Sequence, residues 1–128
     1  MFKTIVAISL GAAIGALLRY LLTLSINPFF STINAGIIIS NLIGGYLVGV
    51  VLYIISIYPE ISEIWKLFII TGLLGSLTTF SAFSAEVFNL IQANKWPQAM
   101  IVISFHLIGS ILMTALGFVS AVFIKKII

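Results

Sequence analysis

The stretch TGLLGSLTTFSAFS, residues 71–84, lies inside an apolar run long enough to cross a bilayer, yet more than half of it is Gly, Ser, Thr or Phe. These small and hydroxyl side chains lower helix propensity over two turns. A helix interrupted at membrane depth is tolerated only where the freed backbone groups find partners, and transporters and channels build ion sites from such carbonyl groups. The stretch is therefore compatible with a broken helix or with an unbroken one whose small residues serve packing.

The composition around this stretch is that of an integral membrane protein. Of the 128 residues, 62% are hydrophobic and 7% are charged, which leaves too few polar side chains to cover a soluble domain. Pro28, Pro59 and Pro97 fall in short polar breaks that divide the chain into four span-length segments. We predict one all-α domain, residues 1–128, with helices at 4–26, 35–57, 65–92 and 98–124 and both termini on one side.

The N-terminal sequence MFKTIVAISLGAAIGALL has a second interpretation, a cleaved signal peptide with Lys3 as its charged region. We favour a first transmembrane helix, because the apolar run continues through Arg19 to span length.

The charged residues exclude several classes of function. The net charge of +3 comes from basic residues that are scattered rather than clustered, so nothing supports nucleic-acid binding. Four basic residues lie on the side of the membrane that holds both termini, and two lie on the other side. This small difference favours cytoplasmic termini only weakly. The absence of cysteine closes thiolate metal sites and disulfides. The acidic residues form no pair at the membrane centre, and no nucleophile with a base is visible, so we expect no enzyme; they are Glu60, Glu63 and Glu86.

Small residues recur at helix-face spacing in the first two helices. Close backbone contact at such positions drives helix association in lipid. The pattern indicates association with a second copy of the chain. Packing within one subunit would explain some of the same positions. The positions are Gly11, Gly15, Gly36, Ser40, Gly44, Gly45 and Gly49.

Polar and aromatic residues within the spans are the candidates for function. Phe80 and Phe83 share a helix face beside Ser81, and an aromatic ring edge attracts an anion. Asn41, in an apolar run, must face other helices or a hydrated path: its amide supplies two donors for an anion, or an interhelical hydrogen bond.

The fourth segment carries a polar stripe of His106, Ser110 and Thr114 at i, i+4 and i+8. The stripe could guide a hydrated solute, or its hydroxyls could bond back to carbonyl groups one turn earlier. A lone histidine is more often a packed, hydrogen-bonded residue than a ligand, so His106 is a candidate for a vestibule or structural role. Arg19, near the end of the first span, could concentrate anions at a pore mouth or act as a structural anchor, and we favour the anchor.

Taken together, these segments resemble the fluoride channel family known as Fluc or CrcB. The resemblance covers essentially the whole chain, through GAAIGALLRY, NLIGGYLVG, TGLLGSLTTFSAFS and GSILMTALGF. It implies a dual-topology homodimer of two antiparallel copies in the bacterial cytoplasmic (inner) membrane. It also implies that the third helix is broken near the bilayer centre, and that the dimer has two fluoride pores and a central structural sodium ion.

The resemblance assigns roles to single residues. Backbone carbonyls of Gly75 and Thr78 would hold the sodium ion. The paired rings of Phe80 and Phe83 would line the pores, and Arg19 matches the arginine of the family's first helix. The remaining pore contacts would be Asn41 as a donor and the hydroxyls of Ser81, Ser110 and Thr114. The family often has a second threonine in TFSTFS, where this chain has Ala82, so its polar track is thinner.

The implied function is passive fluoride export. Two alternatives are a small four-helix multidrug exporter, which would need a carboxylate in the first helix, and a non-transporting membrane scaffold. The first helix contains no acidic residue. A scaffold would tolerate replacement of the two phenylalanines, whereas a channel would lose flux.

Overall fold

A computed structural model describes residues 1–127, and the described chain is all-helical apart from short connections. Four helical segments are long and apolar enough to cross a membrane, which confirms the four predicted spans. They are Phe2–Phe29, Ala35–Ile57, Glu63–Gln92 and Trp96–Ile127. The chain is therefore a multi-pass membrane protein, and we refer to these segments as the first to fourth spans.

The bounds of the second span and the end of the third are as predicted, and the other boundaries differ by two or three residues. Two of these differences have identifiable reasons. The third span begins at Glu63, two residues before the predicted start, because the Ser62 hydroxyl accepts a hydrogen bond from the Trp65 N–H and caps the helix. The fourth span begins before Pro97, because proline is tolerated in a first turn, where its missing N–H is not needed.

The third span consists of two helical halves. The first half, residues 63–77, begins with an α-helical turn at Glu63–Lys66, widens into π-helical turns at Leu67–Leu74 and ends with a short α-helical turn. Thr78 and Thr79 then have extended backbone, with ψ angles of 157° and 120°. The second half, Phe80–Gln92, is a regular α-helix.

The fourth span is continuous but locally widened. Its α-helical parts, Trp96–Ser104 and Ser110–Ile127, are joined by π-helical residues Phe105–Gly109. Such widened turns are rare and occur often at functional sites. His106 lies in this widened turn.

The helices pack as two close pairs, first with third and second with fourth. The glycines make both contacts possible. A Cβ on Gly15 would overlap the backbone of Leu73 in the third span, and a Cβ on Gly49 would overlap the Thr114 carbonyl in the fourth. The glycine faces that suggested a second copy are thus occupied by contacts within one subunit, and by themselves they do not indicate a dimer.

The second span also contacts its other neighbours through small residues. A Cβ on Gly36 would overlap the backbone of Thr23, and one on Gly44 would overlap the methyl group of Thr78. The second span therefore lies against the first span and against the residues that join the two halves of the third.

Replacing Gly49 by alanine tests this packing. We expect Gly49→Ala to lower the free energy of unfolding by about 1–3 kcal/mol, because the added methyl group meets a backbone carbonyl that cannot move aside. Gly109→Ala is the matched control, since the nearest atom to its Cβ is the Cδ2 at the end of the flexible Leu42 side chain, 2.9 Å away, which can move aside. Unfolding in detergent, followed by circular dichroism, measures both. Equal stability of the two variants would contradict the packing argument.

Candidate functional site

The side chain of Asn41 is paired with the backbone of Thr79. Its Oδ1 accepts a hydrogen bond from the Thr79 N–H at 2.8 Å, and its Nδ2 donates to the Thr79 carbonyl at 3.1 Å. The amide thus satisfies both backbone groups of one residue, as a neighbouring strand would. This pairing satisfies the extended backbone between the two halves of the third span.

Two hydrogen bonds at Thr79 take the usual helical N–H donors away from two carbonyl groups. In an unbroken helix, the N–H of Thr79 would bond to the carbonyl of Gly75, and that of Ala82 to the carbonyl of Thr78. Here the Thr79 N–H bonds to Asn41, and the Ala82 N–H bonds to the Thr79 hydroxyl at 3.2 Å. The helical donors of both carbonyl oxygens are therefore directed to other acceptors.

Thr79 belongs to this site through its contacts, although it was not among the predicted site residues. Its hydroxyl caps the second half of the third span and lies 3.1 Å from the hydroxyl of Ser81. The sequence signal for it was present, because threonine is a favoured N-cap residue directly before a helix.

An inner groove of about 270 Å³ lies where the second, third and fourth spans meet. Phe80 and Phe83 meet there edge to face, with ring centroids 5.3 Å apart and an interplanar angle of 70°. Their surroundings differ: Phe83 is 7% exposed, whereas Phe80 is 71% exposed on the surface of the subunit. The groove brings together seven of the predicted site residues, namely Asn41, Thr78, Phe80, Phe83, His106, Ser110 and Thr114.

His106 and Asn41 contact each other in this groove. The Nδ1 atom of His106 lies 2.7 Å from the Asn41 Nδ2, and its ring packs on Phe83 with centroids 4.6 Å apart. His106 is 6% exposed, and its Nε2 is buried without a hydrogen-bond partner among residues 1–127. The two residues were predicted as separate candidates, because no local pattern relates positions 65 residues apart.

The hydroxyl of Thr114 is directed at backbone. It lies 3.0 Å from the carbonyl oxygens of both Gly45 and Ser110. Its single proton therefore has acceptors inside the subunit, which is the alternative that the sequence left open for the hydroxyls of the fourth span.

A second groove has a volume of about 530 Å³ and lies on the other side of Phe80. We call it the break groove, because the extended residues Thr78 and Thr79 between the two halves of the third span line it. The half-buried Arg19 of the first span lines it. Arg19 has no acidic partner among residues 1–127, because the one ion pair there joins Lys66 to Glu63. The groove contains Ser81, which is absent from the inner groove, and Ser76, which the sequence analysis did not single out. Its other lining residues include Gly75 and Thr78.

Residues 1–127 hold no group of three or more His, Asp or Glu side chains that could bind a metal ion. The polar side chains that line the break groove, besides Arg19, are the hydroxyl groups of Ser76, Thr78, Thr79 and Ser81. Glu86 lies elsewhere: one of its carboxylate oxygens accepts from the Asn34 N–H at 2.6 Å, at the start of the second span.

Comparison with known proteins identifies the family. The profile described as "CrcB-like protein, Camphor Resistance (CrcB)" matches residues 6–118. The chain belongs to the CrcB family. Three similar proteins carry the name "Fluoride-specific ion channel FluC". The protein of Chromobacterium violaceum is 44% identical over 98% of this chain and 100% of its own length. That of Pseudomonas aeruginosa is 48% identical over 94% of each chain, and that of Marinobacter nauticus 46% identical over 94% and 95%.

Removal of the Thr79 hydroxyl tests the cap at the break. We expect Thr79→Ala to lower the free energy of unfolding by about 1 kcal/mol, within the range measured for N-cap substitutions. Ser104→Ala is the matched control, because the exposed Ser104 hydroxyl bonds only to the carbonyl one turn earlier. Thermal unfolding in detergent compares the two. A Thr79→Ala protein as stable as the Ser104→Ala protein would contradict the cap.

Proposed function

We propose that this chain is a fluoride-selective ion channel that passively exports fluoride from the bacterial cytoplasm. The names of the CrcB relatives support an ion channel for fluoride, and they are not names of enzymes. The observation that carries the proposal is the inner groove, where an edge-to-face pair of phenylalanines meets polar side chains of two other spans.

The lining of this groove suits fluoride. Fluoride is small, strongly hydrated and a strong hydrogen-bond acceptor, so a selective path must replace its water with donors. Ring edges of Phe80 and Phe83 carry partial positive charge and approach an anion without trapping it as a fixed cation would. We assign the hydroxyls of Ser110 in this groove and of Ser81 in the break groove as donors along the path. Asn41 and Thr114 line the path as polar contacts whose protons already have acceptors inside the subunit.

We further propose that two antiparallel copies form the channel. The break groove is polar and open at the surface of one subunit, and its lining residues include Arg19, Gly75 and Thr78. Hydrocarbon cannot satisfy such groups, so polar backbone at membrane depth requires protein or water against it. A second copy laid across the break would cover this groove together with the exposed Phe80, giving two pores per dimer.

The break groove also fits a structural sodium ion. The carbonyl oxygens of Gly75 and Thr78 have lost their helical donors, and unwound carbonyls of this kind coordinate sodium in transporters. One subunit offers too few such oxygens to replace the hydration shell, and a second copy would double them. The ion would supply fixed positive charge that holds the two breaks together near the bilayer centre. We assign Arg19, which lines the same groove, a structural or vestibule role.

Export then needs no energy source besides the membrane potential. Fluoride that enters as neutral HF ionises inside the cell, and the anion cannot leave through lipid. A potential that is negative inside drives it out with about 2.3 kcal/mol per 100 mV for one charge.

Fluoride efflux from liposomes tests the channel. We expect the purified protein to release fluoride and retain chloride once a potassium ionophore removes the opposing voltage. Phe80→Ile and Phe83→Ile should lower fluoride efflux at least tenfold, because the ring edges are lost. Phe88→Ile is the control, since Phe88 lies in the same helix, is 59% exposed and does not line the inner groove. Full efflux in all three variants would exclude the aromatic pair from the path.

One-sided labelling tests the dual topology. The chain has no cysteine, so single cysteines replacing Lys3 and Lys95 report on opposite ends of the spans. We expect an impermeant thiol reagent added outside cells to label about half of the molecules at each position. Labelling at one position alone would show a single orientation and would overturn the antiparallel dimer.

A further inference from the structure

The orientation of the Asn41 amide is fixed by the main chain. Amide oxygen and nitrogen atoms are hard to tell apart by shape, but a backbone N–H can only donate and a carbonyl can only accept. The Thr79 N–H therefore requires the Asn41 oxygen at 2.8 Å, and the Thr79 carbonyl requires the Asn41 nitrogen at 3.1 Å. The atom that faces His106 is thus the amide nitrogen, a donor.

This orientation determines which nitrogen of His106 carries the proton. Asn41 Nδ2 lies 2.7 Å from the His106 Nδ1, so Nδ1 must accept. A neutral imidazole that accepts at Nδ1 bears its proton on Nε2. Both protons of the Asn41 amide then have acceptors, one on Thr79 and one on His106.

The proton on Nε2 has no partner among residues 1–127. The side chain is 6% exposed, and its Nε2 is buried without a hydrogen bond. One face of the ring packs on Phe83, and His106 lines the inner groove. A buried donor without an acceptor is rare in proteins and calls for an explanation.

We propose that His106 donates a hydrogen bond from its Nε2–H to fluoride in the inner groove, and that Asn41 holds it in the tautomer that can do so. This inference rests on the proposed function. The amide of Asn41 and the hydroxyl of Thr114 have their protons directed at groups inside the subunit, whereas the Nε2–H of His106 has none. A neutral N–H binds an anion without holding it as tightly as a cation, which suits passage.

Two substitutions of His106 separate direct contact from positioning. Asparagine places an amide where Nδ1 lies and can still accept from Asn41, but it has no group at the position of Nε2. Glutamine reaches that position with an N–H donor and offers nothing at Nδ1. If His106 is the donor, His106→Asn lowers fluoride efflux at least tenfold while thermal stability is kept, and His106→Gln retains efflux within a few-fold of wild type. The opposite ranking, or wild-type efflux in His106→Asn, overturns the proposal.

A spectroscopic test uses the unaltered protein and needs no variant. The chain has a single histidine, so 15N-histidine labelling gives one pair of imidazole signals that need no assignment. We expect chemical shifts of the Nε2–H tautomer at neutral pH, and a change of the Nε2–H signal on addition of sodium fluoride but not sodium chloride. A proton on Nδ1, or signals indifferent to fluoride, would overturn the proposal.

The two readouts keep this inference distinct from the proposed function. If wild-type protein releases no fluoride from liposomes, the channel proposal fails whatever the spectra show. If wild-type protein conducts and the Nε2–H signal ignores fluoride, only the role of His106 fails.

Discussion

The hydrogen-bonded pair between the Asn41 amide and the Thr79 backbone is the interaction on which the site depends. It takes the Thr79 N–H away from the carbonyl one turn earlier and satisfies both backbone groups of an extended residue. The remaining amide proton is directed at His106. One side chain thus stabilises the extended residues between the two helical halves and frees a carbonyl oxygen of the third span from its helical donor. It also determines which ring nitrogen of the neighbouring histidine carries the proton.

Glycine in the second span sets the distances that this pairing requires. Gly44 lies against Thr78, and Gly45 faces the Ser110 carbonyl, so a side chain at either position would push the third or fourth span away from Asn41. The helix that carries the amide is therefore thin on both sides of it. In a bilayer, where hydrophobicity gives no preference for helix contact over lipid contact, such close approach is what holds the spans together.

How much the sequence predicted depended on whether the signal was local. Hydropathy and three prolines were sufficient for four spans, and local capping chemistry at Ser62 and Pro97 explains the shifted boundaries. The candidate side chains could be named because polar groups are costly in lipid wherever they lie. Their hydrogen-bond partners could not be named, because Asn41 is 38 residues from Thr79 and 65 from His106.

The amino-acid sequence by itself determined a multi-pass helical membrane protein and its family, because composition, span length and motifs are properties of the chain read in order. The tertiary structure decided which donors are committed and which are free. A free donor is defined by what lies across the helix interface, and that distance is set by glycine contacts between spans far apart in the chain. For this reason Asn41, a donor in the sequence, is a bridging group in the fold, and the Nε2 of His106 is a buried donor in the inner groove without a partner among residues 1–127.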